Sequence, residues 1–451
     1  MQSVSAEELA KHLTDKSKRG IARDTTRLVR TGVLPLGTRL PALRDLAYVM
    51  GISPSTLSEA WKELRRLRIL TGRGRNGTFV SGSSMAPRPS RVLAPQHFEP
   101  GPFNLTMAAP DPALLPDLSN ALLHGTNARG LNSYERIRIL PELEEVLRPT
   151  WPFGSSSMLA TNGGYNAVYL VLHALIAPDS VVAIEMPTPM RLLDILEDLG
   201  VVVLPVTCDH EGPDPQSLQE ALAEKPSAFL FQPVISSVSG QHCTAARLRA
   251  LGDVLKNSDA LIIEDDGLGD ISGAPAQSLG DRFPDRVIHI RSFSKAYGPD
   301  LRMAILSASE ELVDQVQSFR AFSAGWTSRI LQSAVAWLHL DEATQQQVAR
   351  AAETYRHRRN GLAASLRKRG IDVLDGAGLS LFVPVASERF ALITLSAHGI
   401  SALPGEYFSV KPSGHIRIGT GTLASRESEH LANVIELACA ERFQKGPSGL
   451  V

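Results

Sequence analysis

Cysteine is scarce in this chain. Cys208, Cys243 and Cys439 are the only three among 451 residues. They are spaced too widely for a metal-ligand pattern or a disulfide framework, and so fit a reducing compartment. Long apolar runs are missing too. Nowhere do about 18 apolar residues follow one another, which argues against a membrane-spanning helix. The stretch from Met1 to Gly20 is polar and charged, without an apolar signal core. A cytoplasmic protein is therefore expected. Net charge is also small, −1 at pH 7, while 43% hydrophobic and 21% charged residues are ordinary for a soluble globular chain. At 451 residues, two or three domains are expected rather than one.

The small net charge hides an asymmetry. Residues 1–91 hold 17 Lys and Arg against 7 Asp and Glu, and the remainder holds 29 against 40. A basic head on an acidic body points to nucleic acid as a partner of the head. Within it, Ile21 to Arg30 has helical character, and Leu34-Pro35-Leu36-Gly37 is a turn. Leu43, Leu46, Ala47 and Met50 fall on one helix face within Ala42 to Met50. Gly51 breaks that helix, and Ser53-Pro54 gives an N-cap with proline at the first helical position. The next helix, Pro54 to Arg68, buries Leu57, Ala60, Trp61, Leu64 and Leu67. Two helices joined by a short glycine turn form a helix-turn-helix, whose second helix enters the major groove. Leu70-Thr71, a tip from Gly72 to Gly77 carrying Arg73 and Arg75, and Thr78-Phe79-Val80 make a two-stranded wing.

The run Pro35-x-Gly37-x-x-Leu40-Pro41-x-x-Arg44-Asp45-Leu46-Ala47, with Gly51-Ile52-Ser53 and Gly77-Thr78-Phe79-Val80, resembles the winged-helix head of GntR-family bacterial repressors. The resemblance implies that Arg44 contacts DNA and that the wing, with Arg73, Arg75, Gly77 and Thr78, approaches the minor groove. Two arginines usual in the family's recognition helix are replaced by Pro54 and Ser58. Ser53, Ser55 and Thr56 at that helix start are the residues left to bond phosphates or base edges. Residues 1–81 are read as the DNA-binding domain. Residues 82–102, with five prolines and no apolar periodicity, are read as an extended linker.

From Ser157 onward apolar strand-like runs (Val181–Ile184, Val201–Val206, Phe229–Phe231, Leu261–Ile263, Val287–Ile290, Met303–Leu306) alternate with amphipathic segments such as Met190–Leu199, Pro215–Ala223 and Ala245–Lys256. Such alternation predicts an α/β body over 103–451, a mostly parallel sheet covered by helices on both faces. Ligands of such sheets bind beyond the carboxyl ends of the strands. Polar residues gather at those ends. Lys295, in Arg291-Ser292-Phe293-Ser294-Lys295, follows a strand and is placed to form a Schiff base with an aldehyde. Nearby hydroxyls and the forked donors of Arg302 suit a phosphate. An aldehyde bearing a phosphate is pyridoxal 5′-phosphate (PLP), which also requires a carboxylate at its ring nitrogen.

Thr161-Asn162-Gly163-Gly164 opens the apolar helix Tyr165 to Ile176, where free amides at Gly163 and Gly164 can take a phosphate. Glu264-Asp265-Asp266 ends a strand, so one carboxylate points into the crevice, where it needs a cationic partner. A metal site at this acidic triplet is the competing reading, although no histidine is near in sequence.

In order along the chain, the glycine turn, Asp265, the Ser-x-x-Lys295 unit and Arg302 resemble a fold type I aminotransferase. Together with the GntR-like head, the chain resembles the MocR subfamily of regulators. That resemblance makes Lys295 the Schiff-base lysine and Asp265 the pyridinium partner. It assigns Ser292, Arg302, Gly163 and Gly164 to the phosphate cup, and Tyr134 to a phosphate contact lent by a second subunit of a homodimer. Arg417, in His415-Ile416-Arg417-Ile418-Gly419, takes the place of the arginine that grips an α-carboxylate. Three ring supports depart from the family. Pro189 replaces the stacking aromatic, Gly267 the tyrosine at the phenolic oxygen, and Ser237-Val238-Ser239-Gly240 stands for Asn-Pro-x-Gly. The expectation is a PLP-binding transcriptional regulator that senses PLP, an amine or an amino acid. An active aminotransferase and a cofactor-free dimerisation platform are the alternatives.

Overall fold

The computed structural model describes residues 3–67, 69–72, 77–81, 89, 91, 103–154 and 157–439. The chain divides into two compact units, Met1–Leu93 and Ala94–Val451. Most of the expected linker, and the wing-tip residues Arg73 and Arg75, lie outside the described residues. Among the described residues no helix is long and apolar enough to cross a membrane.

In the first unit α1 (Ala6–His12), α2 (Lys18–Arg30), α3 (Leu43–Met50) and α4 (Pro54–Arg66) enclose a core that includes Leu9, Ile21, Leu46, Leu57, Trp61 and Leu64. Sequence periodicity gave no expectation for α1. Its signal is the capping spacing Ser5-x-x-Glu8, and Ser5 does accept from the Glu8 amide. Gly51, at φ +66°, closes α3 in the left-handed conformation that favours glycine. Two residues later Ser53 caps α4 with Pro54 in its first turn. Strands β1 (Leu70–Gly72) and β2 (Thr78–Val80) pair antiparallel as the wing. Backbone bonds from Leu40 to Thr78 and from Val80 to Thr38 lay a third strand-like segment along β2.

The second unit carries β3 (Phe103–Asn104), β4 (Ser157–Thr161), β5 (Val181–Met186), β6 (Val202–Asp209), β7 (Gly212–Pro213), β8 (Ala228–Phe231), β9 (Leu261–Asp266), β10 (Val287–Ser292) and β11 (Ala304–Ala308), then β12 (Ser380–Pro384), β13 (Ile400–Ser401), β14 (Leu403–Pro404) and β15 (His415–Gly419). Eight of them form one sheet in the order β4-β11-β10-β9-β8-β5-β6-β7. Strands β10, β9, β8, β5 and β6 run parallel, as the βα alternation predicts, while β11 lies antiparallel between β10 and β4. The helix Gly164–Leu175 buries Ala167, Val168, Leu170, Val171 and Leu172 in a core that covers one face of this sheet. A smaller sheet, β12-β15-β14, packs with the helices Glu342–Arg367, Glu388–Ala397 and Ser428–Cys439 around a separate core. Its short strands left little periodic signal.

One extended segment joins the two sheets. Leu105 accepts from the Gly419 amide at 2.8 Å, and the carbonyls of Met107 and Ala109 lie against Gly419 and Gly421 so closely that a Cβ at either glycine would overlap them. Gly421→Ala is therefore expected to destabilise the chain by about 1–3 kcal/mol through overpacking. Gly361→Ala, in the exposed middle of a helix with no atom nearer than 4.0 Å, should stabilise by about 0.5–1 kcal/mol. Chemical denaturation of the two variants beside the parent checks both signs.

Candidate functional site

The site is built where β9 and β10 end. Parallel pairing sets Ile290 beside Asp265 and Arg291 beside Asp266, and pleating sends neighbouring side chains to opposite faces. The acidic triplet is split accordingly. Glu264 is fully buried against His289 Nδ1 at 2.8 Å and accepts from the Leu279 amide at 2.7 Å. Asp266 accepts from the Gly269 amide at 3.0 Å. Only Asp265 faces the crevice. The histidine lacking nearby in sequence is thus present in space, as Glu264's partner. Among the described residues no group of three His, Cys, Asp or Glu could hold a metal ion.

Asp265 is 4% exposed, and no ion pair reaches it among the described residues. Burial, then the charge of Asp266, pushes its carboxyl up to about 7, against the pull of His289 and Gln232. Gln232 spans the floor of the site. Its Nε2 approaches the Asp265 carbonyl and carboxylate at 3.4 and 3.5 Å, and its Oε1 accepts from Ser237 at 2.8 Å (amide) and 3.1 Å (hydroxyl). Ser237, standing where the aminotransferase asparagine is expected, is therefore turned onto Gln232. Gly267 places its Cα beside the same pair, so that a Cβ there would touch Gln232 and Asp265 at 3.4 and 3.6 Å. Pro189 is buried and begins the helix Met190–Leu199.

The expected phosphate ligands converge around the glycine turn. Gly164 lies between Ser292 and Asp265, and a Cβ on it would sit 3.4 Å from Ser292 Cβ and 3.9 Å from Asp265 Oδ1. Gly163, at φ +99°, has the Arg302 guanidinium 3.2 Å from where its Cβ would be. Arg302 donates to the Asn162 carbonyl at 3.1 Å. Glycine amides, a hydroxyl and a guanidinium at one helix start are the donor set of an anion cradle. Tyr134 is not among them. It is 89% exposed, edge-on to Trp326 at 6.0 Å.

Lys295 donates to the Ala108 carbonyl at 2.9 Å. Burial, with the charges of Arg417 and Arg191, lowers its ammonium to about 8. Arg417 is 7% exposed, donates to the Thr106 carbonyl, stacks 4.7 Å from the Phe408 ring centroid and keeps a buried Nε without a partner. Burial lowers it to about 10. Buried Glu185 likewise has an unpartnered oxygen, and burial raises its carboxyl well above the usual range. The residues fit PLP on these observations. A buried carboxylate lacks a cation, an anion cradle lies beside it, and a lysine with a lowered pKa shares the crevice. Gln232, Arg191 and the Thr106 and Ala108 carbonyls carry no local motif, because distant segments bring them here, whereas Tyr165 follows directly on the glycine turn.

In the head, Arg44 is exposed on α3. Ser53 accepts from the Thr56 amide at 3.1 Å and shares hydrogen bonds of 2.8 Å with the Ser55 and Thr56 hydroxyls, so its first duty is the cap. Gly77, at φ +100°, sits against the Arg39 guanidinium, and Arg65 reaches the Thr78 hydroxyl at 3.4 Å. Arg39 and Arg65 thus add basic charge beside the wing.

The two shifted groups of the crevice give opposite pH trends. Lys295 is lowered, so rising pH from about 8 to 10.5 favours the folded state. Asp265 is raised, so the folded chain keeps a proton that the unfolded chain releases. Its cost grows between about pH 4 and 7 and is full above that. Asp265→Asn should then raise the thermal midpoint of the cofactor-stripped chain at pH 8, with the gain vanishing below about pH 4. Calorimetry across that range checks it, and a pH-independent gain would contradict the shift.

Residues 102–435 match the family model for aminotransferase class I and II, and residues 18–80 that for bacterial regulatory proteins, gntR family. The chain is 29% identical over 414 residues to the vitamin B6 salvage pathway transcriptional repressor PtsJ of Salmonella typhimurium, covering 90% of this chain and 95% of that one. It is 26% identical over 345 residues to the HTH-type pyridoxine biosynthesis transcriptional regulator PdxR of Corynebacterium glutamicum, covering 74% and 75%. An archaeal alanine:glyoxylate aminotransferase superposes with a TM-score of 0.70 at 22% identity, over 78% of this chain and 93% of that one, a likeness of fold. The chain belongs to the class I and II aminotransferase family, joined to an N-terminal gntR-family regulatory domain in the arrangement of the MocR regulators.

Proposed function

We propose that this chain is a DNA-binding transcriptional regulator whose body, residues 103–451, holds PLP at Lys295 and whose head, residues 1–81, binds an operator. The observation that carries the reading is the gathering of Lys295, Asp265, Ser292, Gly164 and Arg302 at the carboxyl ends of β9 and β10, in a chain that also bears a basic winged helix. When bound, the cofactor supplies an aldehyde carbon that condenses with primary amines. Lys295 offers the amine, with a lowered pKa that leaves a sizeable neutral fraction near pH 8. Asp265 would hold the ring nitrogen and so gain the counter-cation its burial demands. Gly163, Gly164, Ser292 and Arg302 hold the phosphate, and Arg417 receives the carboxylate of an amino-acid effector.

PtsJ and PdxR, by their names, regulate vitamin B6 salvage and pyridoxine biosynthesis, which supports PLP itself as one effector. The missing ring supports at Pro189 and Gly267 weigh against an active aminotransferase, and release of a keto acid from an amino donor would reinstate it. The body is further proposed to pair as a homodimer. Leu122 and Leu123 on the helix Ser119–Gly125, Ile330 on the helix Arg329–Leu340, and Phe322 are exposed apolar side chains, and the two helices touch where the Ile330 carbonyl lies on Gly125. A dimer would present two heads to the half-sites of a two-fold operator.

Visible absorbance tests the cofactor site. The purified chain should show a band that borohydride removes, and Lys295→Ala should lose the band while keeping the fold intact, with a cooperative unfolding transition. An unchanged spectrum would show that the lysine is misassigned. Operator binding tests the head. Affinity should fall by orders of magnitude over a few-fold rise in salt. Arg44→Ala should weaken all sequences alike if it touches phosphate, or one base position if it reads a base. No operator binding by the full chain would end the regulator reading.

A further inference from the structure

The site as assigned leaves one side chain on the crevice floor without a role. Strands β8 and β9 pair parallel with Phe231 beside Glu264. The next residue, Gln232, therefore falls beside Asp265 and on the same face of the sheet. Gln232 is 2% exposed. Its Nε2 lies 3.4 Å from the main-chain carbonyl of Asp265 and 3.5 Å from the carboxylate. Among the described residues it is the one side chain that hydrogen-bonds this carboxylate.

The amide is locked in one orientation. Its Oε1 accepts from the Ser237 amide at 2.8 Å and the Ser237 hydroxyl at 3.1 Å. A flip would set donor against donor at Ser237 and turn an oxygen onto the Asp265 oxygens. Ser237 is tied in turn to the small sheet, where the Ser380 hydroxyl lies 3.0 Å from both the Ser237 and Val238 carbonyls. On its other side the Gln232 backbone amide donates to the buried Glu185 carboxyl. Gly267 keeps the place open, since a Cβ there would already stand 3.4 Å from Gln232 Nε2. A donor held at a carboxylate favours its ionised form, and Gln232 acts on Asp265 in that sense, against burial. An ionised carboxylate is what a protonated ring nitrogen needs as its partner. The residues expected at the ring's phenolic oxygen are replaced at Ser237 and Gly267, which leaves the nitrogen end as the ring's polar anchor.

We propose that Gln232 is a positioning residue for the cofactor, acting through Asp265: its locked amide holds that carboxylate toward the ring nitrogen of PLP. This rests on the cofactor reading above and adds a residue that no local motif marks. Ser237, which stands in for an asparagine, then works one step further back, by fixing the Gln232 amide.

The test is calorimetric titration of the full chain, stripped of cofactor, with PLP and with 1-deazapyridoxal 5′-phosphate. The analogue keeps the aldehyde and the phosphate but has carbon in place of the ring nitrogen. The parent should bind PLP about 30-fold more tightly than the analogue, the scale of one hydrogen bond between charged groups. Gln232→Leu should lower that ratio about 5-fold, by weakening PLP while the analogue's affinity stays in place. Ser237→Ala removes one of the two bonds that lock the amide. It should lower the ratio by less, and not further in a chain that already carries Gln232→Leu. An unchanged ratio in Gln232→Leu would overturn the proposal. Equal weakening of both ligands would do so too, since Gln232 would then merely pack the floor. Should Gln232→Leu fail to unfold cooperatively, Ser237→Ala alone decides, and an unchanged ratio there counts against the proposal. Failure of the cofactor reading is distinct: the parent chain would show no band that depends on Lys295.

Discussion

A carboxylate buried without a cation is the constraint around which this body is organised. Asp265 reaches the carboxyl end of β9 because the parallel sheet carries it there, and strand alternation hands Glu264 to His289 while leaving Asp265 in the crevice. Among the described residues no cation pairs with it. Its proton affinity rises instead, and Gln232 offers only long amide contacts. The same imbalance recurs nearby with the opposite sign, where burial and the charges of Arg417 and Arg191 lower Lys295. Charges of both signs held apart by a rigid frame describe a place prepared for a zwitterionic guest, positive at one end and anionic at the other.

The frame does this with backbone more than with side chains. The carbonyls of Thr106 and Ala108, two residues apart on one segment, receive Arg417 and Lys295. That segment can lie so close to β15 only because Gly419 and Gly421 have no side chain. Gly163 and Gly164 do the same on the other wall, bringing Arg302 and Ser292 against the helix start. The tight places are glycine on backbone, so the geometry of the crevice is set by the main chain.

Much of this was legible in the sequence, for definite reasons. The helices Met190–Leu199 and Pro215–Ala223 fall at their expected bounds because Gly200 and Asp214 terminate them with ordinary capping chemistry. Lys295, Asp265 and Ser292 were readable because each directly follows or ends an apolar strand. The rest depends on chain segments far apart. Gln232 meets Asp265 across 33 residues and Ala108 meets Lys295 across 187, separations that no periodic pattern records. The antiparallel sense of β11 was hidden because an apolar run does not state its direction. The three-stranded sheet was hidden because β14 is two residues long.

The bond from Lys295 to Ala108 has a further consequence. An amine nitrogen that becomes bonded to an electrophilic carbon has fewer protons left to donate. The Ala108 carbonyl and such a carbon therefore compete for the same nitrogen. Ala108 follows the proline-rich stretch 82–102 in the sequence. A carbon bonded to Lys295 would thus cost this carbonyl a donor, on the same segment whose Thr106 carbonyl receives Arg417.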